Sequence, residues 1–136
     1  AKLIHTARLV NDGKPNAVLE KVNRSVEALG KEKIEITVAC LGLAFKPDID
    51  DLRESPALEI AIQVGLMGFA KLYLVEPNIQ EMPQGFDTKF AELVDLDVAL
   101  TEVDVVVLLV DHTPFKGINL GMFSGKQIID TRGIWS

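Results

Sequence analysis

Lys46 and Arg132 stand where an anion can be held. Lys46 follows the apolar run Val38-Ala39-Cys40-Leu41 and a glycine, and Arg132 follows Gln127-Ile128-Ile129 and Asp130-Thr131. Both runs read as strands, so the two cations fall at strand exits. Ser55-Pro56 adds a third feature. A hydroxyl N-cap with proline at the first helical position starts a helix, and the free N–H groups of that start attract negative charge. Together the three can hold a phosphate. A lone loop cation is more often a solvated residue making local bonds; the pairing at strand ends is what sets these two apart.

Other chemistries find less support. No G-x-G-x-x-G is present: after the first strand comes one glycine, Gly42, then Leu43, Ala44 and Phe45. A dinucleotide pyrophosphate needs close backbone approach at that turn, which bulky residues hinder. Asp48, Asp50 and Asp51 lack the glycine and glutamate spacing of a calcium loop and read as a solvated acidic loop. His5 and His112 are far apart in sequence, and no cysteine–histidine pattern accompanies them. Cys40 lies inside an apolar strand and reads as a buried structural thiol. No serine sits in a G-x-S-x-G turn. No catalytic residue and no metal set is expected.

The elements that must position Lys46 and Arg132 follow from periodicity. Leu3, Ala7 and Val10 share one helical face, and Val18, Val22, Val26 and Leu29 another. Gly13 and Pro15 break the stretch into a kinked helix or two helices, the second starting near Pro15, with Gly30 as terminator. A strand is expected over 34–41, and a helix from Ser55-Pro56 to near Gly68. Further strands are expected over 71–75, 91–94, 103–110 and 127–129. A short helix fits 95–101, a helical turn starts at Thr113, and residues 78–89 read as irregular. Strands that alternate with helices and are continuously apolar indicate a parallel sheet covered on both faces. The fold class is α/β, a Rossmann-like open parallel sheet preceded by an amino-terminal helical segment. Ligands of such sheets bind at the carboxyl ends of the strands, where both cations fall.

The chain has 136 residues, a net charge of −6 and a single cysteine. That length suits one core without disulfides or metal. An acidic surface disfavours nucleic acid and anionic membranes. No apolar run approaches a bilayer span and the first residues do not read as a signal peptide, so a cytoplasmic location is expected.

One segment is more specific. Leu41-Gly42-Leu43-Ala44-Phe45-Lys46-Pro47, continuing through Asp51-Leu52-Arg53-Glu54-Ser55-Pro56, resembles the G-x-x-F-K-x-x-x-x-D-x-R-x-S-P signature of the UDP-glucose/GDP-mannose dehydrogenase family. Val75-Glu76-Pro77, the run from Val110 to Phe115, and Ile129-Asp130-Thr131-Arg132 resemble its later segments in order. In that family an amino-terminal Rossmann domain binds NAD. A central helical region carries a catalytic cysteine and dimerises, and a carboxy-terminal domain binds the UDP part of the substrate. The sugar C6 alcohol is oxidised twice, to the carboxylate.

The resemblance implies that residues 1–29 end the central helical region and that 30–136 form the UDP-sugar-binding domain. It places Phe45, Lys46 and Arg132 on the UDP-sugar and Arg53 on NAD held mainly by another domain. It also implies a missing amino-terminal NAD-binding domain and a homodimer. Cys40 does not match the family's cysteine, which lies upstream. The competing reading of Arg53 is an ion pair with Asp50 or Glu54. The competing reading of the whole is a self-standing nucleotide-binding or dimerisation module. A receiver domain is disfavoured, because the first and last strands end in cations where a receiver needs acids and a lysine.

Overall fold

The computed structural model describes residues 15–135. The expectations for residues 1–14, including the apolar face of Leu3, Ala7 and Val10, lie outside them. Helix α1 (Pro15–Leu29) is followed by strand β1 (Thr37–Leu41), helix α2 (Pro56–Gly65), and strands β2 (Lys71–Val75) and β3 (Ala91–Leu93). Helix α3 (Leu96–Glu102), strand β4 (Val105–Leu108), helix α4 (Thr113–Lys116) and strand β5 (Gln127–Asp130) complete the order.

All strand pairs are parallel, and the sheet order is β3-β2-β1-β4-β5. Each central strand sends alternate side chains to opposite cores, which is why these strands are apolar throughout. Val38 and Cys40 of β1 pack with Val105 and Val107 of β4, and with Val18, Val22, Ile60 and Val64 of α1 and α2. Ala39 and Leu41 pack on the other face with Val106, Leu108, Ala99, Leu100 and Phe115. The chain therefore winds to one side of β1 through α2 and to the other through α3. The reversal lies between β1 and β4, and the crevice above their carboxyl ends is where such folds bind ligands.

Several boundaries differ from the sequence reading, three of them for a visible physical reason. The first strand begins at Thr37, not at residue 34. Lys33–Glu35 form a 3₁₀ turn instead, closed by Glu35 N–H to Glu32 O (2.9 Å) and Ile36 N–H to Lys33 O (3.0 Å). Ile34 there is 76% exposed, so its β-branched side chain adds nothing to the sheet. Helix α2 ends at Gly65, while Gly68 takes a left-handed φ of +91° in the following turn. Strand β4 stops at Leu108, because Leu109 and Val110 bend over the end of β1 and both donate to Leu41 O (2.9 and 3.3 Å).

Candidate anion crevice at the switch point

Gly42 makes the switch point possible. Its φ is +92°, and a Cβ there would lie 2.6 Å from Val110 Cβ and 2.8 Å from Val110 N and O. The exit of β1 thus packs directly on the backbone leaving β4. The turn is filled by the protein itself and leaves no cradle for a dinucleotide pyrophosphate. This chain's own residues do not fit the main part of a NAD site.

Beyond Gly42 the loop folds back on itself. Phe45 N–H donates to Asp51 O (2.8 Å), closing residues 45–51 into a turn. Ser55 then joins this loop to α2. Its hydroxyl donates to Leu43 O (2.8 Å) and accepts from Leu58 N–H (3.2 Å), as an N-cap does. The start of α2 is thereby fixed against the end of β1. A cleft of about 230 Å³ lies between them, lined by Ala44, Phe45, Pro56, Ala57, Val110 and Arg132 among others.

Arg132 enters this cleft from β5. Asp130 holds the turn that carries it, accepting from the N–H groups of Arg132 (3.0 Å), Gly133 (2.7 Å) and Trp135 (2.9 Å). Trp135 anchors the turn from beyond, its indole N–H donating to Phe115 O (2.9 Å). The Arg132 guanidinium faces Asp111 across 3.5 Å. The atom nearest Asp111 Oδ1 is Nε, which is buried and, beyond this ion pair, makes no hydrogen bond among the described residues. A buried donor held only by a long ion pair keeps capacity for a further acceptor, such as a water or a ligand oxygen.

The other expected site residues are placed less uniformly. Phe45 and Arg132 share the cleft. Lys46 is exposed beside Phe45, its Nζ 6.0 Å from that ring, and does not line the cleft. Arg53 projects into solvent and pairs with Asp51 through Nε and Nη2, each at 3.1 Å, rather than with Asp50 or Glu54. That bond and the charge of Asp51 raise its pKa further. Cys40 is fully buried, and burial pushes its thiol up to about 12, so it is no nucleophile at neutral pH.

A buried polar cluster under the loop escaped the sequence reading. Glu76, at the end of β2, accepts through Oε1 from the N–H groups of Leu43 (2.8 Å) and Ala44 (3.1 Å). Its Oε2 accepts from Asn78 N–H (3.0 Å) and Nδ2 (3.1 Å). His112 Nε2 lies 2.8 Å from Glu76 Oε1, and Asp48 N–H donates to His112 Nδ1 (2.7 Å). A backbone N–H can only donate, so Nδ1 accepts and the neutral ring carries its proton on Nε2, donating to Glu76. Burial pushes the Glu76 carboxyl up, but the bonds from His112, Leu43 and Asn78 outweigh it and hold the group below its ordinary value. Asp48 is not merely solvated: its carboxylate accepts from Thr113 N–H (2.8 Å) and Oγ1 (2.7 Å), which lowers its pKa. An acid and an imidazole just past the two strands that flank β1 were the available signal.

A larger groove of about 680 Å³ lies at the ends of β2 and β3. Glu76, Glu92 and Asp95 line it and, among the described residues, no cation does, so it repels phosphate.

Comparison with known proteins identifies the family. Residues 39–136 match the profile of the UDP-glucose/GDP-mannose dehydrogenase family, UDP binding domain. The chain belongs to that family. It is 45% identical over 139 residues to the UDP-N-acetyl-D-mannosamine dehydrogenase of Yersinia pestis, covering 99% of this chain and 33% of that protein. It is 43% identical over 136 residues to the NDP-N-acetyl-D-galactosaminuronic acid dehydrogenase of Ralstonia solanacearum, covering 100% and 31%. A solved UDP-N-acetyl-mannosamine dehydrogenase from Staphylococcus aureus superposes with a TM-score of 0.70 at 29% identity, covering 98% and 30%. The chain thus spans about a third of the length of the relatives it matches. Among the described residues no helix is long and apolar enough to cross a membrane.

Proposed function

We propose that this chain is the UDP-sugar-binding part of an NAD-dependent nucleotide-sugar 6-dehydrogenase. The observation that carries the reading is Arg132. A guanidinium lines the crevice of a UDP-binding-domain fold while its buried Nε, 3.5 Å from Asp111 Oδ1, makes no hydrogen bond among the described residues. A pyrophosphate oxygen supplies an acceptor, and the start of α2 faces the same cleft with the Ala57 N–H, since Pro56 has none and that of Leu58 is taken by Ser55. Phe45 forms an apolar wall, and Lys46 beside it adds positive charge at the rim.

The substrate we propose is UDP-N-acetylmannosamine, oxidised at C6 to the carboxylate with reduction of two NAD. The run from Cys40 to Pro56 and the ending at Trp135 support that choice, as does the similarity to dehydrogenases named for that sugar. NAD would be held mainly by another domain, with Arg53 reaching it from this one. Its exposure and outward position suit contact with a group carried elsewhere. Residues 1–29 would close a central helical region through which a cytoplasmic homodimer forms, α1 being the part docked on this sheet.

Kinetics of the full-length dehydrogenase test the reading. Arg132→Ala and Lys46→Ala should raise KM for the nucleotide sugar far more than KM for NAD. Equal changes in both, or none, would refute it.

A further inference from the structure

We propose that Asp48 and His112 form a clamp that sets the spacing of the two loops flanking the anion crevice, and so act as positioning residues for its ligand. The proposal rests on the reading of that crevice given above. The loops after β1 and β4 meet at the switch point, and only short segments separate them from the cleft walls. Bonds between them run in both directions. Asp48 N–H donates to His112 Nδ1 (2.7 Å), while the Asp48 carboxylate accepts from Thr113 N–H (2.8 Å) and Thr113 Oγ1 (2.7 Å).

Each partner is held independently. His112 is fully buried, and its Nε2 is committed to the equally buried Glu76 carboxylate. That carboxylate also grips the amides of Leu43 and of Ala44, which itself lines the cleft. Asp48 has a φ of +62°, a left-handed conformation that few residues besides glycine adopt readily. The turn that Phe45 N–H closes on Asp51 O spans Asp48. Fixing Asp48 on His112 therefore fixes Phe45, at the base of this turn, relative to Val110 on the opposite wall. A solvated acidic loop would require none of these bonds.

Two substitutions separate the two nitrogens of His112. In His112→Asn the amide oxygen falls near the position of Nδ1, so it accepts from Asp48 N–H but does not reach Glu76. In His112→Gln the amide reaches Glu76 and leaves Asp48 N–H without its acceptor. Both keep one buried bond. Thr113→Val removes a bond at an exposed position and serves as the variant that leaves the buried cluster intact.

The measurements are calorimetric titration of the purified chain with UDP and amide hydrogen exchange. His112→Gln should weaken UDP binding by about tenfold, Thr113→Val by roughly threefold, and His112→Asn by less than about threefold. Exchange at residues 44–48 should quicken in His112→Gln while the amides of β1 stay protected. Equal losses in the Asn and Gln variants, or no loss in Gln and Val, would overturn the clamp. If the unaltered chain takes up no UDP, the reading of the crevice fails. The clamp then stands or falls on exchange alone, and loop protection in His112→Gln equal to that of the unaltered chain would overturn it.

Discussion

At the smallest scale the account turns on two residues, Arg132 and Glu76. Arg132 should contribute through charge-assisted bonds to phosphate, each about 1.5–3 kcal/mol, so Arg132→Ala should weaken UDP binding by about 10–100-fold. Titration calorimetry checks this, and a loss below threefold would remove Arg132 from the site. Glu76 couples the loop to acidity. Its folded pKa is depressed, so its stabilising effect is present above the ordinary carboxylate value of about 4.3 and is lost as pH falls through the folded value. Urea midpoints at neutral and acidic pH should show Glu76→Gln less stable than the unaltered chain at pH 7. The difference should shrink below about pH 4. Arg132 was legible in the sequence because it follows an apolar run. Glu76 and His112 were not, because their meaning depends on β2 and β4 flanking the same strand. That adjacency is a property of sheet order, not of spacing along the chain.

At the scale of elements, the crevice depends on a tight turn and a capped helix. Ser55→Ala should destabilise the chain by about 1 kcal/mol from the lost cap, and by more if Leu43 O finds no other donor. Thermal or urea denaturation measures it, and an unchanged midpoint would show that α2 starts without the hydroxyl. Gly42→Ala should be worse than about 1 kcal/mol, since the new methyl meets the Val110 backbone at an unfavourable φ. The cap was readable from Ser55-Pro56 as written, and the central strands from their unbroken apolar runs. The start of β1 was not. Ile34 and Ile36 alternate with polar residues like strand positions, yet Glu35 Oε1 accepts from Glu32 N–H (3.4 Å) across a 3₁₀ turn that turns Ile34 to solvent. Local side-chain bonds of this kind compete with the pattern that hydrophobicity alone predicts.

At the scale of the whole molecule, the chain belongs to a UDP-binding-domain family and spans about a third of the length of its relatives. Its one cysteine is buried with a raised pKa, and its first βα turn is filled by Val110. The purified chain with UDP-N-acetylmannosamine and NAD should therefore form no NADH, and formation abolished by Cys40→Ser would contradict that account. The central claim is that the crevice between β1 and β4 binds the diphosphate. The direct measurement is a UDP titration of the isotopically labelled chain followed by NMR. The account predicts saturable shifts at Ala44, Phe45, Ala57 and Arg132, with the β2–β3 groove around Leu96 and Val98 unaffected. Shifts confined to that groove, or none at millimolar UDP, would contradict it.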